Sequence, residues 1–290
     1  VTIEGRNRKV IMQAPKSGVF YILDRTNGQF ISAEPFVPVN WVTGFDKKNN
    51  GKPIINQDAF YDQQKSVLIY PGGGGAHNWA PMSYNPNAGL VYLPYSAGSY
   101  TFSAAAEPDP KAGGGAHGLG RGGERTTPMP IWGPDNVGRG GLQARDPKTN
   151  QIKWVKQGRG GAAAGGTMTT ASNLVFQVAP NGSLMVWTAD KGDQLLELPT
   201  GLVSGMGPPI TFLVDGKQYV ALMDTEGVVV RFTDDARPAA VVCEAYADHL
   251  GRRRRQLAAR RNRNIGDHAI DIERQRRACW PESSHRQLRL

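Results

Sequence analysis

Two stretches of this chain, Gln13 to Gly28 and Gln177 to Gly192, carry one pattern. Each runs from a short apolar stretch through a glycine-bearing turn into an alternating strand, and then into a second turn that closes on glycine. Gly18 matches Gly182, Asp24 matches Thr188 and Gly28 matches Gly192, all 164 residues apart. That distance divides into four steps of about 41, the length of one four-stranded propeller blade. Further anchors fall on the same ladder. Gly140, Asp146 and Asn150 precede Gly182, Thr188 and Gly192 by 42 residues, and Leu90-Val91-Tyr92 precedes Leu174-Val175-Phe176 by 84. Tyr219-Val220-Ala221 follows Val175-Phe176-Gln177 at 44. A β-sandwich would hold no fixed period. The expected fold is therefore all-β, a partial β-propeller of about four to five blades.

Composition agrees with that reading. Gly (36 residues) and Pro (20) are high for a helical protein and ordinary for a turn-rich β-protein. No apolar run approaches the length of a membrane-spanning helix. No charged-then-apolar leader precedes the first strand, so the chain is expected to start inside a domain. Both cysteines, Cys243 and Cys279, lie in the last fifth, so no disulfide is expected in the propeller. The net charge of +9 is uneven. From Asp234 to Leu290 there are 13 Arg, no Lys and 8 acids, a surplus of five positive charges. The basic signal belongs largely to that tail and gives no reason to expect nucleic acid at the propeller. The division expected is a propeller over 1–232 and an Arg-rich tail over 233–290, disordered or helical.

Along the chain, Val10 to Met12 and Val19 to Leu23 read as strands of a first blade. Ser66 to Tyr70 and Gly89 to Leu93 read as strands of the next. Later strands are expected at Gln151 to Val155, Asn173 to Val178, Leu184 to Trp187 and Ile210 to Val214, with Asp215-Gly216 as a hairpin turn. Tyr100 to Gly138 reads as a long Gly/Pro insertion of the kind that forms lids or stays disordered. Asp24, Asp146 and Thr188 recur at one repeat position, which suits turn capping better than catalysis. Trp154 and Trp187 read as packing between blades.

Several ordered motifs point further. They are Gln13-Ala14-Pro15-Lys16-Ser17-Gly18 with Leu23-Asp24-Arg25-Thr26-Asn27-Gly28, Val39-Asn40-Trp41, and His77-Asn78-Trp79-Ala80-Pro81-Met82-Ser83. Gly165-Gly166-Thr167-Met168-Thr169-Thr170-Ala171 and Asp215-Gly216-Lys217-Gln218-Tyr219-Val220-Ala221 continue the series. Together, from about Lys9 to Met223, they resemble the pyrroloquinoline-quinone-dependent alcohol dehydrogenases. The resemblance implies roughly the C-terminal half of an eight-bladed propeller that holds the quinone and calcium on its axis. It also implies a small alcohol substrate, an electron acceptor such as a cytochrome, and a periplasmic location.

By the same resemblance, Lys16 reaches the ortho-quinone oxygens. A preplaced cation there stabilises the negative charge that hydride arrival builds. Asn78 is the second implied contact, since a carboxamide can donate to a quinone oxygen while accepting from a neighbour. The Gly72 to Gly75 run would let backbone approach a flat ligand. Trp79 either packs beside the ring or fills the core, with core packing preferred. His77 reads as structural. Other family features are missing. Residues 1 to 15 contain no Asp to act as the base, and Glu4 is their only acid. The calcium ligands belong to the absent half, so no catalytic or metal-ligating residue is assigned in this chain. Ala163-Ala164 stands where many relatives have Trp-Asn, and from Asp224 onward nothing matches; the Arg-rich end reads as out of frame. The expectation is a fragment of a quinone-dependent alcohol dehydrogenase, inactive alone. The alternatives are a non-catalytic propeller used as an interaction module, and nucleic-acid binding through the tail.

Overall fold

The computed structural model describes residues 1–62, 65–104, 119–121, 129–158, 165–199, 207–215, 217–223 and 229–233. Among them the only helices are two 3₁₀ turns, Lys47–Asn49 and Gln57–Ala59; the rest of the regular structure is antiparallel sheet. Four sheets follow one another as blades. The first holds Val10–Gln13, Val19–Asp24 and Phe30–Pro35 in sequence order. The second holds Ser83–Asn85, Leu90–Ser96, Gly140–Arg145 and Ile152–Gln157. The third holds Thr167–Thr169, Leu174–Val178, Ser183–Thr188 and Gln194–Pro199. The fourth pairs Ile210–Val214 with Lys217–Met223 and that strand with Val229–Thr233. The expected all-β partial propeller is what the chain forms. Asp215 takes φ 50° at the expected hairpin. Its neighbour Gly216 lies outside the described residues, as do the tail over 234–290, both cysteines, and Ala163-Ala164.

The repeat has a physical cause in one hairpin built three times. The backbone N–H groups of Asp24, Asp146 and Thr188 donate to Gln29, Gln151 and Asp193. The carbonyls of the same three residues accept from Gly28, Asn150 and Gly192 at 2.8, 2.8 and 3.0 Å. Those closing residues all take the left-handed conformation, φ 74°, 59° and 72°, which explains Gly at two of them and Asn at the third. The side chains cap the turns as expected. Asp24 accepts from Thr26 N–H at 2.8 Å, Asp146 from Lys148 N–H at 2.8 Å, and Thr188 from Asp193 N–H at 3.0 Å. Each hairpin also carries a bulge at the same place, between Ile22/Leu23, Ala144/Arg145 and Val186/Trp187.

Register corrects the ladder on which the fold was read. Leu90–Ser96 and Leu174–Val178 are second strands of adjacent blades, so their 84-residue separation is one step and not two. The excess lies between Ser96 and Gly140, where the chain leaves the second blade and returns to it. A similar excursion separates Pro35 from Ser83. Both insertions happen to be about one blade long, so they mimic blades in a periodicity count. They are also structured. Val67–Ile69, Tyr100–Ala104 and Leu119–Arg121 form a separate sheet, and Val42–Asp46 pairs with Lys52–Ile55. Ser66 to Tyr70 therefore does not share a blade with Gly89 to Leu93. Within the Tyr100 to Gly138 segment, residues 105–118 and 122–128 lie outside the described residues.

The core lies between blades. Tyr92, Leu142, Ala144, Trp154, Val175 and Trp187 form one buried cluster joining the second and third. Trp154 donates its Nε1–H to the Ala189 carbonyl at 3.1 Å, and Tyr92 donates its hydroxyl to the same oxygen at 2.9 Å. Gly192 lies against the Trp154 ring, with no room for a Cβ. Each large side chain buried in this way contributes about 1.5–3 kcal/mol. Both tryptophans pack between blades, as expected. The strand Val229–Thr233 continues the fourth blade past Met223, where the sequence pattern was read as ending.

Candidate cofactor site

Lys16 sits on the turn between the first two strands of the first blade. Gly18, at φ 83°, closes this turn; a Cβ there would stand 2.8 Å from Val39 and 2.9 Å from Val37. Trp41 holds the turn from outside by donating its Nε1–H to the Ser17 carbonyl at 2.8 Å. Asn40, almost fully buried, ties the neighbouring sheet to the same region. Its Nδ2 donates to the Leu68 carbonyl, and its Oδ1 accepts from Tyr70 N–H, both at 2.8 Å.

The glycine run then meets the turn directly. The Lys16 carbonyl accepts from Ala76 N–H at 3.0 Å. Gly75 takes φ 78° and touches the lysine, so a Cβ there would stand 2.5 Å from Lys16 Cγ. Gly72 is pressed on the other side, where a Cβ would come within 2.9 Å of the Ser99–Tyr100 backbone. His77 is buried and bridges the two segments. Its Nδ1 lies within hydrogen-bonding distance of the Ala14 carbonyl, and its Nε2 lies 2.6 Å from the Ala80 carbonyl. It is structural, as expected. The outcome is one local assembly in which the Lys16 turn is bonded to the loop that carries Asn78 and Trp79.

All three of those side chains are exposed. Trp79 is 45% exposed, so the preferred reading of it as core packing is wrong. It follows a histidine anchored on both nitrogens, and that anchor points the indole outward instead of into a blade interface. Asn78 and Trp79 border a cavity of about 100 Å³ with His77, Pro94, Tyr95 and Ser96. Tyr95 donates its hydroxyl to the Val137 carbonyl at 2.6 Å, and burial pushes its pKa up to about 12. The loop ends on a second junction. Gly166 packs against Pro81, where no Cβ would fit. Thr167 N–H donates to the Pro81 carbonyl at 2.9 Å, and the Ser83 and Thr167 hydroxyls bond each other at 2.8 Å. Two of the sequence motifs therefore dock onto each other across a blade boundary.

Lys16, Asn78 and Trp79 offer an ammonium, a carboxamide and an exposed indole on two bonded segments, groups whose chemistry suits a planar ligand with carbonyl oxygens. Among the described residues no group of three or more His, Cys, Asp and Glu side chains gathers to hold a metal ion. Glu4 is exposed and pairs loosely with Arg8 at 3.9 Å. The supports supplied by Asn40 and Trp41 were missed in the sequence, although Val39-Asn40-Trp41 was visible as a motif.

The chain is 40% identical over 253 residues to the quinohemoprotein alcohol dehydrogenase of Comamonas testosteroni, an overlap of 83% of this chain and 34% of that protein. It is 36% identical over 242 residues to the 1-butanol dehydrogenase (cytochrome c) of Thauera butanivorans, covering 80% of this chain and 33% of the relative. The crystal structure of the Comamonas testosteroni enzyme superposes with a TM-score of 0.64 at 39% identity, over 78% of this chain and 33% of that one. A europium-containing methanol dehydrogenase superposes with a TM-score of 0.63 at 25% identity, over 77% and 37%. No protein-family model matches the chain. Fold and relatives together define the class, the propellers of quinone-dependent dehydrogenases. Within it, the chain is similar in sequence to one stretch of the quinoprotein alcohol dehydrogenases. It spans about a third of the length of the curated relatives it matches.

Proposed function

We propose that this chain supplies one wall of the pyrroloquinoline quinone site of an alcohol dehydrogenase, with Lys16, Asn78 and Trp79 as its contacts. The observation that supports this reading is the Lys16 turn bonded, through Ala76 N–H and the Gly75 contact, to the glycine loop that carries Asn78 and Trp79. When bound, the quinone supplies the acceptor for the hydride of the alcohol carbon, and an aldehyde leaves. Lys16 and Asn78 would hold the bound quinone by donating to its oxygens, and the fixed positive charge of Lys16 would favour added negative charge there. Trp79 offers its ring face to the cofactor. His77, Asn40 and Trp41 hold these groups in place.

The base and the calcium ligands are assigned to residues outside this chain, and turnover by the chain alone is expected to be undetectable. Loss of a catalytic base costs about 10²–10⁴-fold. The propeller unit runs over 1–232, and 233–290 is an appendage. The substrate is a small alcohol, the acceptor a cytochrome-type protein, and the compartment the periplasm. Among the described residues no helix is long and apolar enough to cross a membrane.

Titration of the purified 290-residue chain with pyrroloquinoline quinone, followed by tryptophan quenching, tests the reading. Saturable quenching that weakens at least about tenfold on Lys16→Ala is expected, the size of one lost charge-assisted contact. Equal binding by wild type and Lys16→Ala removes the lysine's role. Turnover of a primary alcohol by the chain alone would overturn the assignment of the base elsewhere and make Glu4 the first residue to mutate.

A further inference from the structure

Arg145 breaks the repeat. Its equivalents in the other two hairpins are Leu23 and Trp187, each the residue just past the bulge. Two blades place an apolar group at this repeat position, and the third places a guanidinium. The side chain is only 2% exposed, and its Nε is buried without a hydrogen-bond partner. Among the described residues it makes no hydrogen bond and no ion pair. Its Cζ lies 5.7 Å from the Phe20 ring centroid, which covers one face of the group. Glu34 is the acidic neighbour whose charge it feels. Burial holds the guanidinium down at about 10, still a cation at neutral pH.

An unpaired buried cation is costly, and such groups are retained where something pairs with them. What Arg145 borders is open space. A cavity of about 460 Å³ lies between the third strand of the first blade, the Thr149–Ile152 turn and the Trp132–Asn136 segment. Asn150 borders it too, its Nδ2 donating to Ser32 Oγ at 3.3 Å. Trp132 supplies an apolar wall. This volume lies within the range of small-molecule sites. The planar guanidinium fork matches a carboxylate. Glu34 on the rim disfavours a dianion, so a single negative charge is the better fit.

We infer that this inter-blade cleft binds a small monocarboxylate, with Arg145 as its charge partner. The cleft shares no lining residue with the cavity beside Asn78 and Trp79, and the inference does not depend on the cofactor reading.

The test is calorimetric titration of the full chain with acetate at constant ionic strength, with acetamide, phosphate and chloride as parallel probes. Acetate should bind saturably. Acetamide and chloride should not, and phosphate should bind more weakly. Arg145→Leu conforms to the repeat and should fold. It should weaken acetate binding at least about tenfold, as removal of one member of a desolvated charge pair does. Glu34→Gln removes the repulsion and should tighten acetate binding severalfold, a change of opposite sign that a misfolded variant would not produce. An acetate response no different from chloride, or an Arg145→Leu chain that binds acetate as the wild type does, overturns the site.

Discussion

Lys16 and Arg145 are two cations on neighbouring blades, and the sequence treats them in opposite ways. Lys16 stands in an ordered motif and lies exposed on a turn, against a glycine. Arg145 stands in no motif, occupies an apolar repeat position and is buried. The first keeps its hydration, so it costs the fold little. The second is largely withdrawn from water and, among the described residues, has the Phe20 ring over one face but no hydrogen bond or ion pair, so the fold carries it at a loss. Motif likeness finds the first kind of residue. Departure from an internal repeat finds the second.

That contrast can be broken by mutation. The largest change should come from the anchor beneath Lys16. His77→Ala leaves the Ala14 and Ala80 carbonyls without their imidazole partner in a buried place and should cost about 2–4 kcal/mol in chemical denaturation. A loss under about 0.5 kcal/mol, the range of surface substitutions, would mean that the bridge between the two segments is not real. Next, Arg145→Leu should raise stability by about 1–3 kcal/mol in carboxylate-free buffer, because an uncompensated charge gives way to the repeat's apolar residue. A loss of that size would show that the guanidinium is already paired. Lys16→Ala should leave the denaturation midpoint within about 0.5 kcal/mol while it weakens quinone binding, the pattern of an exposed ligand-facing residue.

The smallest effect concerns pH. Hydrogen bonds from the Thr26 hydroxyl and N–H, with Arg8 nearby, hold the Asp24 carboxyl below the usual carboxylate range. Its folded-state pKa is therefore lower than its unfolded one. The stabilising contribution is present above the unfolded value and is lost as pH falls through the folded value. Asp24→Asn should lower stability slightly at neutral pH and flatten the acid side of the curve below about pH 4, so that the variant and wild-type curves converge in acid. An unchanged acid slope would separate the turn's geometry from its charge.

The blades were legible because their hairpins repeat a closing residue with positive φ, and Gly28, Asn150 and Gly192 announce it. Blade number along the ladder was not legible, because insertions of nearly blade length sit between Pro35 and Ser83 and between Ser96 and Gly140. Composition cannot distinguish an inserted sheet from the next blade; only the pairing of Val67–Ile69 with Tyr100–Ala104 does. Lys16, Asn78 and Trp79 are proposed as contacts from motifs alone, and the outward direction of Trp79 depends on how His77 is held, which is a tertiary fact. Arg145 was visible beside Trp187 at the repeat offset, yet only burial turns that mismatch into a signal.

The strand Ile210–Val214 lies at the open edge of the fourth blade, with Leu213 71% exposed and Ile210 and Phe212 also uncovered. At the last edge of the third blade, by contrast, Gln194–Pro199 carries a glutamate and a proline, which are ordinary guards against edge-to-edge pairing. The unguarded strand is a template for self-association. In solution the protein should gather at raised concentration, and a lysine at Leu213 should be the simplest way to keep it apart.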